Sequence, residues 1–334
     1  MKVLFLHHNQ PDYLAESLFH GLRNLLGKNC VDVPRYDSMY APLTDRMKSK
    51  LRGHGFTLYG LLEEIPELAE ARYFWQKDLG DYDIIVIANI WVQWQTLWEL
   101  SSLVEPEKLV ILDGHDTPTF FPYTSLSWRL RKCPWSYFTP ISRFKYFKRE
   151  LIGEGCSQGL NKFLPSYLQQ WMPIPRNSNS ISFSIPEQKV WQGDVSLKTK
   201  DFPKHIVDPE VAGNVSDGSE EYVFSSEAEY YNDLRMSRFG ITTKRAGWDC
   251  LRHYELAANG CVLCFRDLDL KPSNCAPHGL NESNCIVYHS FNKIQKKILS
   301  LTIVEYSQLQ QMTYQWITLN TTMVRAKDFL EACS

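Results

Sequence analysis

The residues best suited to chemistry lie in one segment of the second half of the chain. This segment joins a predicted strand to a predicted helix, the position at which open parallel sheets bind ligands. A helix N-terminus offers free N–H groups to an anion, and a glycine lets backbone approach a ligand closely. Cations can neutralise phosphates, a carboxylate can hold ribose hydroxyls, and an indole ring can stack on a base. The residues that carry these features are Lys244, Arg245, Gly247, Trp248, Arg252 and Glu255.

Arg252 and Glu255 are three positions apart, so the predicted helix places them on one face. The whole segment predicts a site for a nucleotide diphosphate. The alternative is an ordinary helix start that carries a solvated charge pair.

The elements around this segment alternate between strands and helices. The pattern predicts strands at 238–242, 261–265 and 285–288 and helices at 249–258, 291–301, 305–319 and 322–332. Asn259 and Gly260 form a stop signal for the helix that precedes them, because glycine adopts the left-handed conformation at little cost.

The first half has the same rhythm. Buried strands are predicted at 3–6, 83–88 and 109–112, and helices at 11–26 and 91–103. Continuous apolar strands separated by helices are typical of a doubly wound α/β domain with a parallel sheet. A segment rich in Pro, Ser and Asn at 173–185 predicts a linker, which divides the chain into domains at 1–172 and 186–334.

Three stretches of the second half, at 237–242, 245–249 and 252–261, resemble the donor-binding region of GT-B glycosyltransferases. The resemblance is to the exostosin-type and spore-coat-type branch, in which an Arg and a Glu precede a small-residue turn that ends in Gly-Cys. It implies two Rossmann-like domains facing a cleft and a final helix, 322–330, that crosses back to the first domain. It further implies that Glu255 holds the ribose or sugar of a nucleotide-sugar and that Arg245 and Arg252 hold its diphosphate, without a cofactor or catalytic metal.

One feature departs from the pattern of many retaining GT-B enzymes, which carry two glutamates eight residues apart. The position eight before Glu255 is Gly247, so retention is not supported and the stereochemical outcome stays open.

Transfer with inversion requires a base that takes the proton of the acceptor hydroxyl. Two loops that follow predicted strands of the first half offer an imidazole near a carboxylate, namely 7–12 and 113–116. We favour His115 and Asp116 over His8, although Asp116 could equally cap the next element.

Residues 128–149 interleave basic and aromatic side chains and contain no acidic residue. This stripe predicts peripheral contact with an anionic membrane or with a polyanionic or lipid-linked acceptor. It could instead bind single-stranded nucleic acid, or its aromatic rings could lie in the core beneath outward-reaching lysines.

The cysteines suggest a rival interpretation. Cys261, Cys264, Cys275 and His278 have a spacing that zinc sites can use. Cys261 and Cys264 lie in a predicted buried strand, however, where residues three apart face opposite sides. Burial as small apolar side chains is the favoured interpretation.

Composition limits the remaining choices. The 36 Lys and Arg residues nearly balance the 38 Asp and Glu residues, which argues against a dedicated nucleic-acid-binding protein. No apolar run approaches the roughly 20 residues of a membrane-spanning helix, and no signal peptide is recognisable. We therefore expect a cytoplasmic protein with reduced cysteines and peripheral contact with the inner face of the membrane.

These observations together predict a metal-independent glycosyltransferase of polysaccharide biosynthesis. It would transfer a sugar from a nucleotide-sugar to a hydroxyl of a glycan or lipid-linked acceptor. The alternatives are a non-catalytic sugar- or nucleotide-binding protein with the same cleft, and a zinc-dependent nucleic-acid-binding module built on the cysteines and the basic stripe.

Overall fold

A computed structural model describes residues 1–8, 10–121, 143–152 and 177–334. Most of the basic, aromatic stripe at 128–149 and the first residues of the predicted linker lie outside these ranges. The described residues form two parallel β-sheets with helices packed against them.

The first sheet has the strand order β2-β1-β3-β4-β5-β6, and every neighbouring pair is parallel. Its strands are β1 (Val3–Leu6), β2 (Cys30–Val33), β3 (Ile84–Ala88), β4 (Leu109–Asp113), β5 (Lys145–Lys148) and β6 (Ser178–Ser180). The α-helices described in this half are α1 (Tyr13–Leu26), α2 (Asp45–Lys48), α3 (Leu68–Phe74) and α4 (Ile90–Leu100).

The second sheet has the parallel order β7-β8-β9. Its strands are β7 (Phe239–Thr243), β8 (Val262–Arg266) and β9 (Cys285–Tyr288). The α-helices around it are α5 (Pro209–Ala212), α6 (Glu227–Arg235), α7 (Leu251–Ala258), α8 (Phe291–Ser300), α9 (Ile303–Thr318) and α10 (Thr322–Cys333). Gly260 follows α7 with a φ of 75°, as the predicted stop signal requires.

The last helix joins the two halves. Helix α10 packs against α1, and a Cβ at Gly21 would lie only 2.0 Å from the carbonyl oxygen of Thr322. Only glycine allows this approach. At the same crossing the His20 Nδ1 is 2.8 Å from the Thr322 hydroxyl. The expectation of a final helix that returns to the first half is therefore met.

One hydrophobic cluster contains buried residues of both sheets, among them Phe5, Val86, Leu256 and Leu263. Two further clusters cover the opposite face of each sheet. The shared cluster therefore packs elements of the two halves against each other.

Strands β2 and β5 were not predicted, because each contains charged residues. Asp32 of β2 is fully buried and pairs with Arg23 at 2.7 Å. Lys148 of β5 is fully buried and pairs with Asp113 at 3.0 Å. The partner that makes each buried charge tolerable comes from another element, so the strand sequence alone does not look like a buried strand.

Candidate functional site where the two sheets meet

The segment between β7 and α7 folds around a carboxylate of the first half. The Glu150 Oε1 accepts hydrogen bonds from the backbone N–H of Trp248 at 2.8 Å and of Asp249 at 3.3 Å. A Cβ at Gly247 would lie 2.4 Å from this oxygen. Gly247 was expected to admit a ligand to the backbone, and in the structure the Glu150 side chain approaches it.

Trp248 was expected to stack on a base, but its ring lies in the core. The residue is 9% exposed, and its ring is 6.3 Å from that of Phe265. Lys244 is exposed and its ammonium lies 5.1 Å from the indole centroid. The indole therefore supports the loop, and Lys244 covers its outer side.

Arg149 ties the two predicted site loops together. Its guanidinium donates to the Asp249 carbonyl at 2.8 Å, to the Glu150 carboxylate at 3.1 Å and to the Gly114 carbonyl at 3.2 Å. It also forms an ion pair with Asp116. Asp116 was expected to assist His115, and the structure instead places its carboxylate on Arg149.

His115 lies on the surface at the carboxyl end of β4. Its backbone N–H donates to the Asp113 carboxylate at 3.0 Å, and its Nδ1 is 3.1 Å from the Thr117 hydroxyl. Its ring is 5.2 Å from that of Trp91. Asp113 itself is buried between Tyr146 and Lys148, so its role is structural.

His8 follows β1 and presents a different edge of its ring. The Gln10 backbone N–H donates to the His8 Nδ1 at 3.0 Å. Burial lowers the pKa of His8, although the Asp12 carboxylate opposes this. A neutral ring that accepts at Nδ1 carries its proton on Nε2. This nitrogen is buried and has no hydrogen-bond partner among the described residues, so His8 presents a donor there.

Arg252 and Glu255 share one face of α7, as the spacing predicted. Glu255 is 8% exposed, and its carboxylate accepts from the Tyr230 hydroxyl at 2.7 Å and from the Thr57 hydroxyl at 2.5 Å. The Arg252 Nη1 is buried and has no hydrogen-bond partner in the part of the chain that the structure describes. Burial lowers the pKa of Arg252, but the neighbouring Tyr230 and Glu255 outweigh it and the pKa is raised.

The environment of Arg252 contains residues that the sequence did not single out. His205 lies near Arg252 and Arg245, and burial, followed by the charge of Arg252, lowers its pKa to about 4. The ring of Tyr222 lies 5.3 Å from that of His205. Arg245 is exposed and donates to the Val207 carbonyl at 3.3 Å. Two cations and a neutral imidazole therefore line one side of the site.

Sequence signals for these additional residues were weak. Tyr230 lies in α6, where its ring packs in the core while its hydroxyl binds Glu255. Arg149 was one of several cations in the basic stripe. Thr57 carried no signal at all.

The first two cysteines of the predicted zinc set face opposite sides of the second sheet. Cys261 lies in the cluster shared by both sheets, whereas Cys264 lies in the cluster on the opposite face of the second sheet. Burial raises the pKa of the Cys261 thiol to about 11. Among the described residues, no three histidines, cysteines or carboxylates are grouped as metal ligands. The zinc-dependent alternative therefore loses the geometry on which it depended.

Within the described ranges, no helix is both long and apolar enough to cross a bilayer.

No family model matches this sequence, and no curated protein is significantly similar to it. Solved structures of HepE from Anabaena match it over nearly the whole of both chains. The structure with UDP and glucose has a TM-score of 0.51 at 10% identity and covers 99% of this chain and 98% of HepE. The structure with UDP has a TM-score of 0.50 at 10% identity and covers 99% of both chains. The predicted α/β fold with two Rossmann-like units is therefore confirmed.

Proposed function

We propose that the protein is a glycosyltransferase that binds a nucleotide-sugar at Arg252 and Glu255. The observation that carries the proposal is the buried Arg252 Nη1 without a hydrogen-bond partner among the described residues, one helical turn from the Glu255 carboxylate. A buried donor without a hydrogen bond carries a desolvation cost, and this cost is offset when an anionic acceptor binds to it. The fold supports the proposal, since HepE shares it and has been solved with UDP and with glucose.

The cations of the site match a diphosphate leaving group. Arg252 would bind the phosphates from within the cleft, while the exposed Arg245 and Lys244 would add positive charge at the rim. Glu255 would accept hydrogen bonds from ribose hydroxyls, with the Tyr230 hydroxyl holding its other oxygen. Charge that develops on the leaving diphosphate is then neutralised by side chains, so we expect catalysis without a metal ion.

His115 is the base that the geometry favours. When its Nδ1–H donates to the Thr117 hydroxyl, the lone pair remains on Nε2. Nε2 would take the proton of the acceptor hydroxyl as that oxygen attacks the anomeric carbon. The bond between this carbon and the phosphate oxygen breaks, and its electron pair leaves with the diphosphate. Asp116 acts at a distance by holding Arg149, and His8 would donate to substrate oxygen.

The remaining features of the proposal come from the sequence. Residues 1–172 would bind the acceptor, a glycan or a lipid-linked molecule, and residues 186–334 the donor. The proposal also includes membership of the exostosin-type and spore-coat-type branch, hexosyl transfer and a role in polysaccharide biosynthesis. The same holds for a cytoplasmic location with peripheral membrane contact through 128–149.

Release of nucleoside diphosphate from UDP-, GDP-, ADP- and dTDP-sugars, with water as the acceptor, tests the proposal. We expect one donor class to be cleaved. His115→Gln should lower the rate at least about 100-fold, which is typical of a lost general base, and should leave donor affinity within about twofold.

His8→Gln is the matched control for the base. It should weaken donor or acceptor binding and leave the rate at saturating donor within a few fold of the wild type, whereas His115→Gln should lower that rate about 100-fold or more. Tight donor binding without release by the wild type would favour the non-catalytic binding protein. An equal loss of rate at saturating donor in both variants would show that the base is misassigned.

A further inference from the structure

Glu255 is occupied by a residue from the opposite half of the molecule. Thr57 is 1% exposed, and its hydroxyl donates to the Glu255 Oε1 at 2.5 Å. The Tyr231 hydroxyl lies 2.8 Å from the same Thr57 oxygen. Because the single Thr57 hydrogen is directed to Glu255, Tyr231 must be the donor in the second contact. A hydroxyl thus stands where a sugar hydroxyl would bind.

The backbone of Thr57 makes a second contact of the same kind. Its N–H donates to the Glu227 Oε1 at 2.6 Å, and the Lys189 ammonium binds that oxygen at 2.7 Å. One residue of the first half therefore offers two neighbouring donors to two carboxylates of the second half. Two adjacent hydroxyls of a ribose present the same pair of donors.

The segment that carries Thr57 covers the aromatic rings around Arg252. The His54 ring stacks on that of Tyr222, with centroids 4.9 Å apart and planes inclined by 13°. The Phe56 ring lies 6.3 Å from that of Tyr230 at 24°. Tyr222 and Tyr230 are the two rings whose charge interactions with Arg252 raise its pKa. Residues 54–57 thus cover the proposed diphosphate site from the first half.

Residues 53–57 are held in this place by their contacts and not by their own conformational preference. Gly53, His54, Gly55 and Thr57 have φ values of 55°, 57°, 72° and 70°. The left-handed region is unfavourable for His54 and still more for a β-branched threonine. Such conformations persist where surrounding interactions compensate for them. When a ligand takes over the contact to Glu255, one of the interactions that hold this conformation is lost.

We propose that residues 53–57 form a plug that occupies the donor site and that a nucleotide-sugar must displace it. The plug rests on the proposed function, because it regulates access to the same Arg252 and Glu255 site. Ribose hydroxyls replace Thr57 on Glu255, and the diphosphate binds Arg252 once His54 and Phe56 move. The apparent dissociation constant of a donor is raised by the population of the plugged state.

Two measurements with UDP, GDP, ADP and dTDP test the plug. The first is the affinity of Thr57→Val, which keeps the β-branched shape and removes the hydroxyl. We expect at least about fivefold tighter binding of the diphosphate that the wild type binds, because one contact of the plugged state is lost. Thr318→Val is the matched control, since Thr318 is exposed on α9 and bonds only the Gln315 carbonyl of its own helix, and it should bind as the wild type does.

The second measurement is hydrogen exchange of the wild-type peptide that contains residues 53–57, with and without the diphosphate. We expect exchange of the Thr57 amide to become faster on binding, because its bond to Glu227 breaks. Binding that leaves this exchange unchanged or slower, together with unaltered affinity of Thr57→Val, overturns the plug and leaves the proposed function intact. If neither protein binds any diphosphate, both proposals fail. Binding by Thr57→Val alone supports the plug.

Discussion

Two arginines next to the segment between β7 and α7 differ in their hydrogen bonds. The Arg149 side chain is 1% exposed and donates to carbonyls of Gly114 and Asp249 and to the Glu150 carboxylate. Arg252 is partly buried; its Nη1 is fully buried and has no partner among the described residues. The same residue type is therefore satisfied by the protein in one place and not in the other.

This difference distinguishes an arginine that stabilises the fold from one that can bind a ligand. A buried cation whose acceptors are all supplied by the chain fixes the positions of those acceptors, here the loops after β4 and β7. A buried donor without an acceptor costs free energy in the free protein, and the cost is offset only when a ligand brings an acceptor. We therefore assign Arg149 to building the cleft and Arg252 to binding in it.

The largest expected effect is the loss of stability on Arg149→Met. Methionine fills the space but leaves the Glu150 and Asp116 carboxylates and the Asp249 carbonyl without their cation. Removal of one partner from a buried ion pair costs about 3–5 kcal/mol. We expect the free energy of unfolding, measured by urea denaturation at pH 7, to fall by that amount.

Asp116→Asn is the matched control for this prediction. Its carboxylate is half exposed, so loss of that pair is expected to cost less than about 1 kcal/mol. If Arg149→Met costs no more than Asp116→Asn, Arg149 does not organise the cleft, and the contrast with Arg252 disappears.

The pKa of His253 is lowered in part by the charges of both arginines. It is fully buried; its Nε2–H donates to the Trp248 carbonyl at 3.0 Å, and its Nδ1 accepts from the Thr242 hydroxyl at 2.6 Å. Burial, with smaller contributions from Arg252 and Arg149, lowers its pKa from 6.5 to about 4. In the unfolded chain the ring takes up a proton below about pH 6.5, whereas in the folded protein it does not until about pH 4.

The free energy of unfolding should therefore be unaffected by this group above pH 6.5 and fall as the pH drops to about 4, by roughly 3 kcal/mol in total. His253→Gln is expected to reduce the slope of unfolding free energy against pH in this window. His20, whose pKa burial also lowers to about 4, lies at the α1–α10 crossing, and His20→Gln should remove a similar, additive part. An unchanged slope in His253→Gln would contradict a buried neutral ring.

The parts of the fold that could be predicted are those with local causes. Strands β1, β3 and β4 are buried on both faces and therefore appear as continuous apolar runs. The end of α7 depends on one glycine with positive φ. Strand β5 escaped prediction because its Lys148 is stabilised by Asp113, which lies 35 positions away.

The site divides in the same way. Helical spacing was enough to place Arg252 and Glu255 side by side. The contact between Thr57 and Glu255 spans 198 positions and depends on how the two halves pack, which no local pattern records. The burial of Trp248 escaped prediction for a related reason, since the side of a loop that faces the core is decided by distant residues such as Phe265.

The last prediction concerns Arg252→Met, and it completes the comparison. The Nη1 forms no hydrogen bond to the described residues, and Glu255 keeps its bonds to Thr57 and Tyr230, so the charge interaction with Glu255 is the main loss, and the free energy of unfolding should fall by less than it does in Arg149→Met. Affinity for a nucleoside diphosphate should fall at least tenfold, because a hydrogen bond to a charged group contributes about 1.5–3 kcal/mol. Lys244→Met, at the exposed rim, should lower the affinity less, since solvent screens its charge.

Calorimetric titration beside urea denaturation measures both quantities on the same preparations. A stability loss like that of Arg149→Met with unchanged diphosphate affinity would make Arg252 a second structural cation and would move the donor site elsewhere in the cleft.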